Sequence, residues 1–521
     1  MRTALYSTAM SGSVEMALLE HLDRSDGQED LCFATWRPST GRRRQTALVI
    51  QPVLPRRGER HVHGNASFES AYALRAAKVA IQREEGLVFL HSHPGGAGWQ
   101  SLGGPDARAE ASIANLAREM TGFPLVGMTL AGRDGSWSSR VWDRGRGRDV
   151  SHTSCESVRV IGEHLRVTFN DELRPRPRPQ PTQQRTINAW GEKVQADMAR
   201  LRVLVAGAGS VGLHIVESLA RTGVEHIGVM DFDRVEFVNL DRLHGATALD
   251  ALLRRPKIDV ARRILRHAAT AEKPFHELFE ASVCEPAGLE AVLDFDVVFS
   301  CADRPWPRHV LNTAAYADLI PVIDGGLRLE PRPQGGMRNA YWRSQVVTAG
   351  RPCLACIGQY DPAHVQLERD GSLDNPTYIA GLPPESALRA NQNVSALSIA
   401  AASALLNQFL SLVVAPSGVG DPGPLRHSLA THRIEPVDVS CVDACPYSQS
   451  VGEGDRRLDP TGPHAAATRV RTADRAGMRL LRVGLRLVER GALGGAEKLT
   501  RIASRFSRAC RGRKIRSPFS R

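Results

Sequence analysis

Long apolar runs, a dense cysteine framework and an apolar leader are all missing from this chain. No stretch of eighteen apolar residues occurs, so no conventional membrane-spanning helix is expected. Ser7, Ser11, Glu15 and Glu20 interrupt the start, and no secretory signal is predicted there. Nine cysteines in 521 residues are too few and too scattered for a disulfide scaffold. A reducing, cytoplasmic location is the resulting expectation. Aromatic residues make up only 5%, but 42% hydrophobic content still describes a globular chain, long enough for about three domains with cores of their own.

Nor is the positive charge general. Residues 456–521 hold 18 Lys or Arg against 4 Asp or Glu, which leaves residues 1–455 slightly acidic despite a net charge of +11. Basicity belongs to the tail, which argues against a nucleic-acid role for the whole protein. Residues 478–490 have the pattern of a basic amphipathic helix, suited to an anionic membrane, nucleic acid or an acidic partner. A solvated, mobile tail is the plainer expectation.

Residues 1–150 read as one compact α/β unit. Helices are predicted over 13–22 and 68–83 and after Asp106, and strands over 31–35, 46–53, 87–91, 124–130 and 136–142. Residues 151–184 are expected to hold a strand remnant and then a stiff spacer, because the alternating prolines of Arg174-Pro-Arg-Pro-Arg-Pro-Gln-Pro favour polyproline II. A second unit is predicted over 185–455, followed by the basic tail over 456–521.

In the first unit the apolar run Leu87-Val-Phe-Leu ends in His91-Ser-His93-Pro94, and a Gly-rich turn follows that closes at Asp106. Two imidazoles at one strand end with a carboxylate nearby make a zinc site, and three protein ligands leave a fourth position for a water whose pKa falls to about 7. The segment resembles the JAB/JAMM (MPN+) metalloproteases, isopeptidases that cut ubiquitin-like tails. That resemblance implies a cytidine-deaminase-like α/β domain, with Zn²⁺ on His91, His93 and Asp106. It also implies that Glu29, in Gln28-Glu29-Asp30-Leu31, is the general base. The family's oxyanion-stabilising serine falls at Ser101 counting forward from His93, or at Gly103 counting back from Asp106. Losing such a donor typically costs about 3 kcal/mol of transition-state stabilisation. The competing readings are a turn without metal and a relative that keeps the fold but cuts nothing.

In the second unit Val203-Leu-Val-Ala runs into Gly207-Ala-Gly209-Ser-Val-Gly212, a strand entering a Gly-x-Gly-x-x-Gly turn and a helix. Glycines let the backbone approach a phosphate while the helix N-terminus offers free N–H groups. Alone, this fits a nicotinamide dehydrogenase with Asp231 on the ribose. The run Asp231-Phe-Asp233-Arg-Val-Glu-Phe-Val-Asn239-Leu-Asp-Arg242 resembles instead the signature of E1-like ThiF/MoeB/ubiquitin-activating adenylyltransferases. The resemblance spans roughly residues 185–450 and implies a Rossmann-like, doubly wound α/β domain that uses ATP and Mg²⁺. The glycine loop and Asp233 would then line the nucleotide pocket, with Asp231 binding the ribose. Asn239, Arg242 and Lys257 would hold the phosphates, Asp303 the magnesium, and Arg185 would reach across a homodimer.

Cys353-Leu-Ala-Cys356 and Cys441-Val-Asp-Ala-Cys445 form two close pairs, suited to a structural Cys₄ zinc site, with buried reduced thiols as the other reading. Residues 357–440 contain no cysteine, so the activated tail is expected to pass to an external acceptor, E2-like or a sulfur donor, rather than to a thiol of this chain. The Ala/Leu-rich helix over 391–412 is expected in the core or at a dimer seam. The combined expectation is a bacterial-type fusion that adenylates the C-terminal glycine of a ubiquitin-like β-grasp protein and trims or deconjugates the same tail. Its competitors are sulfur-carrier activation for cofactor or amino-acid synthesis, a first unit that only docks substrate, and a nicotinamide oxidoreductase.

Overall fold

Apolar runs of two kinds, alternating and continuous, fold into two large sheets covered by helices. The computed structural model describes residues 5–63, 65–144, 150–332, 334–382 and 392–473, so the helix expected over 478–490 lies outside the described residues.

The first sheet is built from β1 (Leu5–Ser11), β2 (Leu31–Thr40) and β3 (Arg44–Val53), with β4 (Arg60–His63) and β5 (Asn65–Phe68) forming a separate hairpin. It continues with β6 (Gly86–His93), β7 (Leu125–Ala131), β8 (Ser136–Arg144), β9 (Val150–Ser154), β10 (Ser157–Ile161) and β11 (Leu165–Phe169). Its order is β11-β10-β1-β3-β2-β6-β7-β8-β9. Strand β6 lies inside the sheet, antiparallel to β2 and parallel to β7, which is why Leu87, Val88, Phe89 and Leu90 are apolar on both faces. The helix Gly12–Leu22 covers one face, and Ser70–Gln82 with Gly104–Thr121 covers the other, where Phe33, Tyr72, Phe89 and Ile113 share a core.

The second sheet comprises β12 (Arg202–Ala206), β13 (His226–Met230), β14 (Phe275–Phe279), β15 (Val297–Ser300), β16 (Val322–Pro331), β17 (Met337–Val347), β18 (Leu425–Ser428) and β19 (Arg433–Pro436). The order is β14-β13-β12-β15-β16-β17-β18-β19; the first five strands are parallel and the rest antiparallel. This is a Rossmann-like, doubly wound sheet whose strand order reverses between β12 and β15. Ligands of such sheets bind in the crevice outside the strand ends at that reversal.

Three expected boundaries are corrected. The first unit does not stop at 150: β10 pairs in parallel with β1 and carries β11 outside it, because Val158, Val160 and Ile161 are needed to bury the flank of β1. The Pro/Arg-rich spacer is not free. Arg174 and Arg200 stack on Phe169 at 5.6 and 4.4 Å, and the Arg178 N–H donates to Glu272 at 2.8 Å. The tail is not loose from 456 either, since Trp306 donates to the Pro460 carbonyl at 2.8 Å and Arg471 pairs with Glu285 at 2.5 Å. The packed chain runs through residue 473.

One core joins the two units, with Leu48, Ile161 and Phe169 among the same buried residues as Val203, Val205 and Ile215. Beside it, Asp296 pairs with Arg44 at 2.5 Å and Arg159 at 2.8 Å and accepts the Arg202 N–H at 2.9 Å. Burial alone would raise the Asp296 carboxyl, but these arginines outweigh it and hold it far below the usual carboxylate range. Removing one partner from so buried a cluster costs about 3–5 kcal/mol.

The helix Ser395–Val414 is the one described helix long and apolar enough to cross a membrane. Ala401, Ala402, Leu405, Phe409 and Leu412 bury one of its sides in the core beneath β16 and β17, whereas Ile399 is 48% exposed.

Candidate functional site

Chemistry-bearing side chains gather at strand ends in both units. In the first, β6 ends on His91 and His93, and the helix Gly104–Thr121 presents Asp106 from its first turn. Asp106 Oδ2 lies 3.8 Å from His91 Nε2 and 3.6 Å from His93 Nε2, against roughly 3.4 Å for ligand edges of a tetrahedral zinc. All three ligand atoms lie within 4.8 Å of one another. Burial, with Arg140 and His93 nearby, pushes His91 down to about 3, so its imidazole is neutral and able to ligate. Gln100 Oε1 meets His93 Nδ1 at 3.3 Å while its amide holds the Ala97 carbonyl at 2.9 Å, which turns His93 Nε2 toward Asp106. The donor set fits Zn²⁺.

Glu29 is half-buried immediately before β2, and burial raises its carboxyl above the usual value while His93 and Asp106 act on it electrostatically. Its neighbour Asp30 is fully buried, its backbone N–H donating to Ser92 Oγ at 3.0 Å and its carboxylate paired with Arg24 at 3.3 Å and Arg60 at 3.2 Å. That clamp fixes where Glu29 stands. Ser101 is exposed in the loop, while Gly103 caps the Asp106 helix; a Cβ there would sit 3.1 Å from Asp106 Oδ2. Sequence reasoning missed Glu110, fully buried behind His91, with Nδ1 at 4.0 Å, and paired with Arg140 and Trp142. Its spacing of four from Asp106, one helical turn, was the available signal.

In the second unit Gly207 adopts φ +108°, and a Cβ there would lie 2.7 Å from the Cys301 carbonyl, so only glycine lets the β12 and β15 ends approach. At Gly212 a Cβ would overlap the Gly207 carbonyl, whereas Gly209 is open. Asp231 accepts the Ala208 and Asp233 N–H groups, each at 2.7 Å, and burial raises its carboxyl. Lys257 Nζ reaches Asp233 Oδ2 at 2.8 Å; burial opposes its charge, but Asp231, Asp233 and Asp303 outweigh that and raise its pKa. Asp303, exposed just beyond β15, acts on Lys257 electrostatically. Asn239 and Arg242 are engaged locally: Asn239 Oδ1 accepts the Glu236 N–H at 3.0 Å, and Arg242 donates to the Val238 carbonyl at 2.6 Å. Arg185 is exposed on the helix Gln184–Arg200. Ser210, missed earlier, bonds Asn393 at 2.9 Å and Ser398 at 3.0 Å, tying the glycine loop to the start of the Ser395–Val414 helix.

Residues 182–415 match the ThiF family. Over 165 residues the chain is 31% identical to the molybdopterin-synthase adenylyltransferase of Escherichia coli, covering 30% of this chain and 59% of that protein. With the adenylyltransferase and sulfurtransferase MOCS3 of Sus scrofa it shares 30% identity over 187 residues, 35% of this chain and 37% of the relative. The chain thus spans less than two thirds of either relative. Among solved structures, E. coli MccB with ATP aligns at 16% identity and TM-score 0.39, over 52% of this chain and 74% of that one.

The ThiF-like unit extends past the matched residues to complete a thiol cluster. Cys353, Cys356, Cys441 and Cys445 bring their sulfurs within 4.8 Å of one another, with Cys353 and Cys445 at 3.7 Å, close to the roughly 3.8 Å edge of a tetrahedral zinc–thiolate site. Burial would raise the Cys445 thiol, but hydrogen bonds from the Ser448 and Tyr447 backbone and from the neighbouring thiols bring it to about 7. The set fits a structural zinc. Cys32, Cys155 and Cys284 are buried in the cores.

Proposed function

We propose that the chain adenylates the C-terminal glycine of a ubiquitin-like or sulfur-carrier β-grasp protein in its ThiF-like unit and hydrolyses a peptide or isopeptide bond of the same tail in its first unit. The observation that carries the reading is the Lys257–Asp233 ion pair at 2.8 Å, with Asp231 accepting the Ala208 N–H of the glycine loop at 2.7 Å, within the matched ThiF region. An ammonium held by the Asp233 carboxylate can exchange that partner for phosphate oxygens. Gly207, Gly209 and Gly212 admit the phosphates to backbone N–H groups, Asp231 meets the ribose, and Asp303 is the carboxylate for Mg²⁺. Asn239 and Arg242 would give up their local bonds to hold the leaving pyrophosphate. Arg185, exposed, is available to a second copy in a homodimer.

In the first unit His91, His93 and Asp106 would hold Zn²⁺, which when bound supplies Lewis acidity and lowers the pKa of its water. Glu29, its proton affinity raised by burial, accepts and returns the proton. Because Gly103 rather than a serine adjoins Asp106 and Ser101 is exposed in the loop, oxyanion stabilisation there would fall to other donors.

A sulfur-transfer outcome is the second reading, favoured by the absence of cysteine between 357 and 440 and by relatives named as both adenylyltransferase and sulfurtransferase. The external acceptor, an E2-like thiol or a sulfur donor, separates the two. The deciding experiment is ATP–pyrophosphate exchange with β-grasp proteins ending in Gly-Gly. Exchange that requires the terminal glycine supports the reading; no exchange with any such tail, together with tight NAD binding, rejects it.

A further inference from the structure

The antiparallel extension of the second sheet has two unlike faces. Gly325 lies against Leu405 of the Ser395–Val414 helix, so the face of Gly325 and its partner Ser344 is covered. The next residues along, Gly326, Arg343 and Arg426, are directly paired across β16, β17 and β18 and therefore share the opposite face. Arg308 sits over Gly326, its Nη2 within 3.4 Å of where a Cβ would be, and Arg426 stacks on Tyr341 of the same face at 5.9 Å. Arg328, paired with Tyr341, completes the row and is exposed.

Four guanidiniums on one sheet face, two of them directly opposite each other, oppose folding rather than assist it, because like charges in cross-strand pairs destabilise. Internal compensation is small. Arg308 pairs with buried Asp324 at 3.2 Å and Arg426 with Glu435 at 3.2 Å, but Arg328 and Arg343 have no carboxylate at ion-pair distance among the described residues. Burial and the three neighbouring arginines hold Arg343 below the ordinary arginine value. The row also leads somewhere. Arg308 lies on the helix Pro305–Ala317 that follows Asp303, and its partner Asp324 accepts Ser300 Oγ at 2.7 Å at the end of β15, beside the nucleotide crevice.

We propose that the row Arg308–Arg343–Arg426, flanked by Arg328, is the docking surface for an acidic segment of the protein substrate, lying just upstream of the C-terminal glycine that enters the crevice. The proposal rests on the adenylation reading for the occupant's identity. Its basis is charge complementarity and continuity with the crevice.

The test uses the full chain and a fluorescein-labelled synthetic peptide that ends in Gly-Gly and carries Asp and Glu upstream, with an Asn/Gln counterpart. Anisotropy titration without ATP reads docking independently of chemistry. Wild type should prefer the acidic peptide by about tenfold, a preference that weakens with salt. The Arg343→Gln/Arg426→Gln variant should lose that preference, Arg343→Lys/Arg426→Lys should keep most of it, and the ATP-induced thermal shift should be unchanged in both. Equal affinity for the two peptides, an unchanged preference in the Gln variant, or tighter binding of a single-stranded oligonucleotide than of the acidic peptide would each overturn the proposal. If the preference holds but no peptide supports pyrophosphate exchange, the surface stands and the adenylation reading alone falls.

Discussion

The two candidate centres handle charge in opposite ways. Around His91, His93 and Asp106 the surroundings are already neutralised: Arg140 answers Glu110, Arg24 and Arg60 answer Asp30, and His91 is held neutral. Lys257 pairs with Asp233 at 2.8 Å while Asp231 and Asp303 act on it electrostatically, an ion pair with no second fixed partner for the ammonium among the described residues. The first arrangement suits a single resident dication with a full shell of fixed partners. The second offers an ammonium that an incoming anionic ligand can draw away from its carboxylate partner. Both centres lie at strand ends.

Substitutions that separate the centres sharpen this comparison. Glu29→Gln should slow cleavage of a tail-extended β-grasp substrate by roughly 10²–10⁴, the usual weight of a general acid–base group, with pyrophosphate exchange intact. If exchange falls equally, the centres are not independent. Asp296→Asn should cost about 3–5 kcal/mol in urea unfolding, because Arg44 and Arg159 lose their shared buried partner. Since the Asp296 pKa is depressed in the folded protein, its stabilisation is full above the ordinary carboxylate pKa and is lost as pH falls toward the folded value. The variant should therefore show a flatter acid limb in its stability profile, and an unchanged limb would remove the cluster from the interface account.

Lys257→Ala should lower exchange by roughly 10²–10³ with cleavage unchanged, comparable to losing one charge-stabilising donor. An effect below tenfold would make the ammonium a structural counter-ion for Asp233. Smallest of all, Ser101→Ala should leave cleavage within about twofold, as expected of an exposed loop side chain. A larger loss would mean that the loop closes on substrate.

Much of the frame was legible before folding. The continuous apolar run at 87–90 announced an interior strand, and the glycine fingerprint with Asp231 announced the strand-to-helix turn. Both signals are local, carried by periodicity and by positions only glycine tolerates. The ends of elements and units were less legible. Strand β10 was legible only as an unplaced strand remnant within 151–184, because Ser157–Ile161 joins the first sheet through pairing with β1, about 150 residues earlier in sequence. The proline-rich stretch read as a stiff spacer between the units because nothing local reveals that Phe169 offers Arg174 a stacking surface. Asp30 was missed for the same reason: a buried carboxylate is identified by its distant partners.

Residue order alone determined which side chains could do chemistry here: the His-x-His-Pro turn, the glycine loop, the acidic motif after β13 and the two cysteine pairs. Each follows from short-range spacing on a strand end or helix start. Only the tertiary structure decided which of them meet. Cys353 lies 3.7 Å from Cys445 across 92 residues, Gly207 must yield to the Cys301 carbonyl, and Arg343 finds itself opposite Arg426. Those encounters depend on long-range strand pairing and on the burial that turns weak surface charges into strong, directional ones.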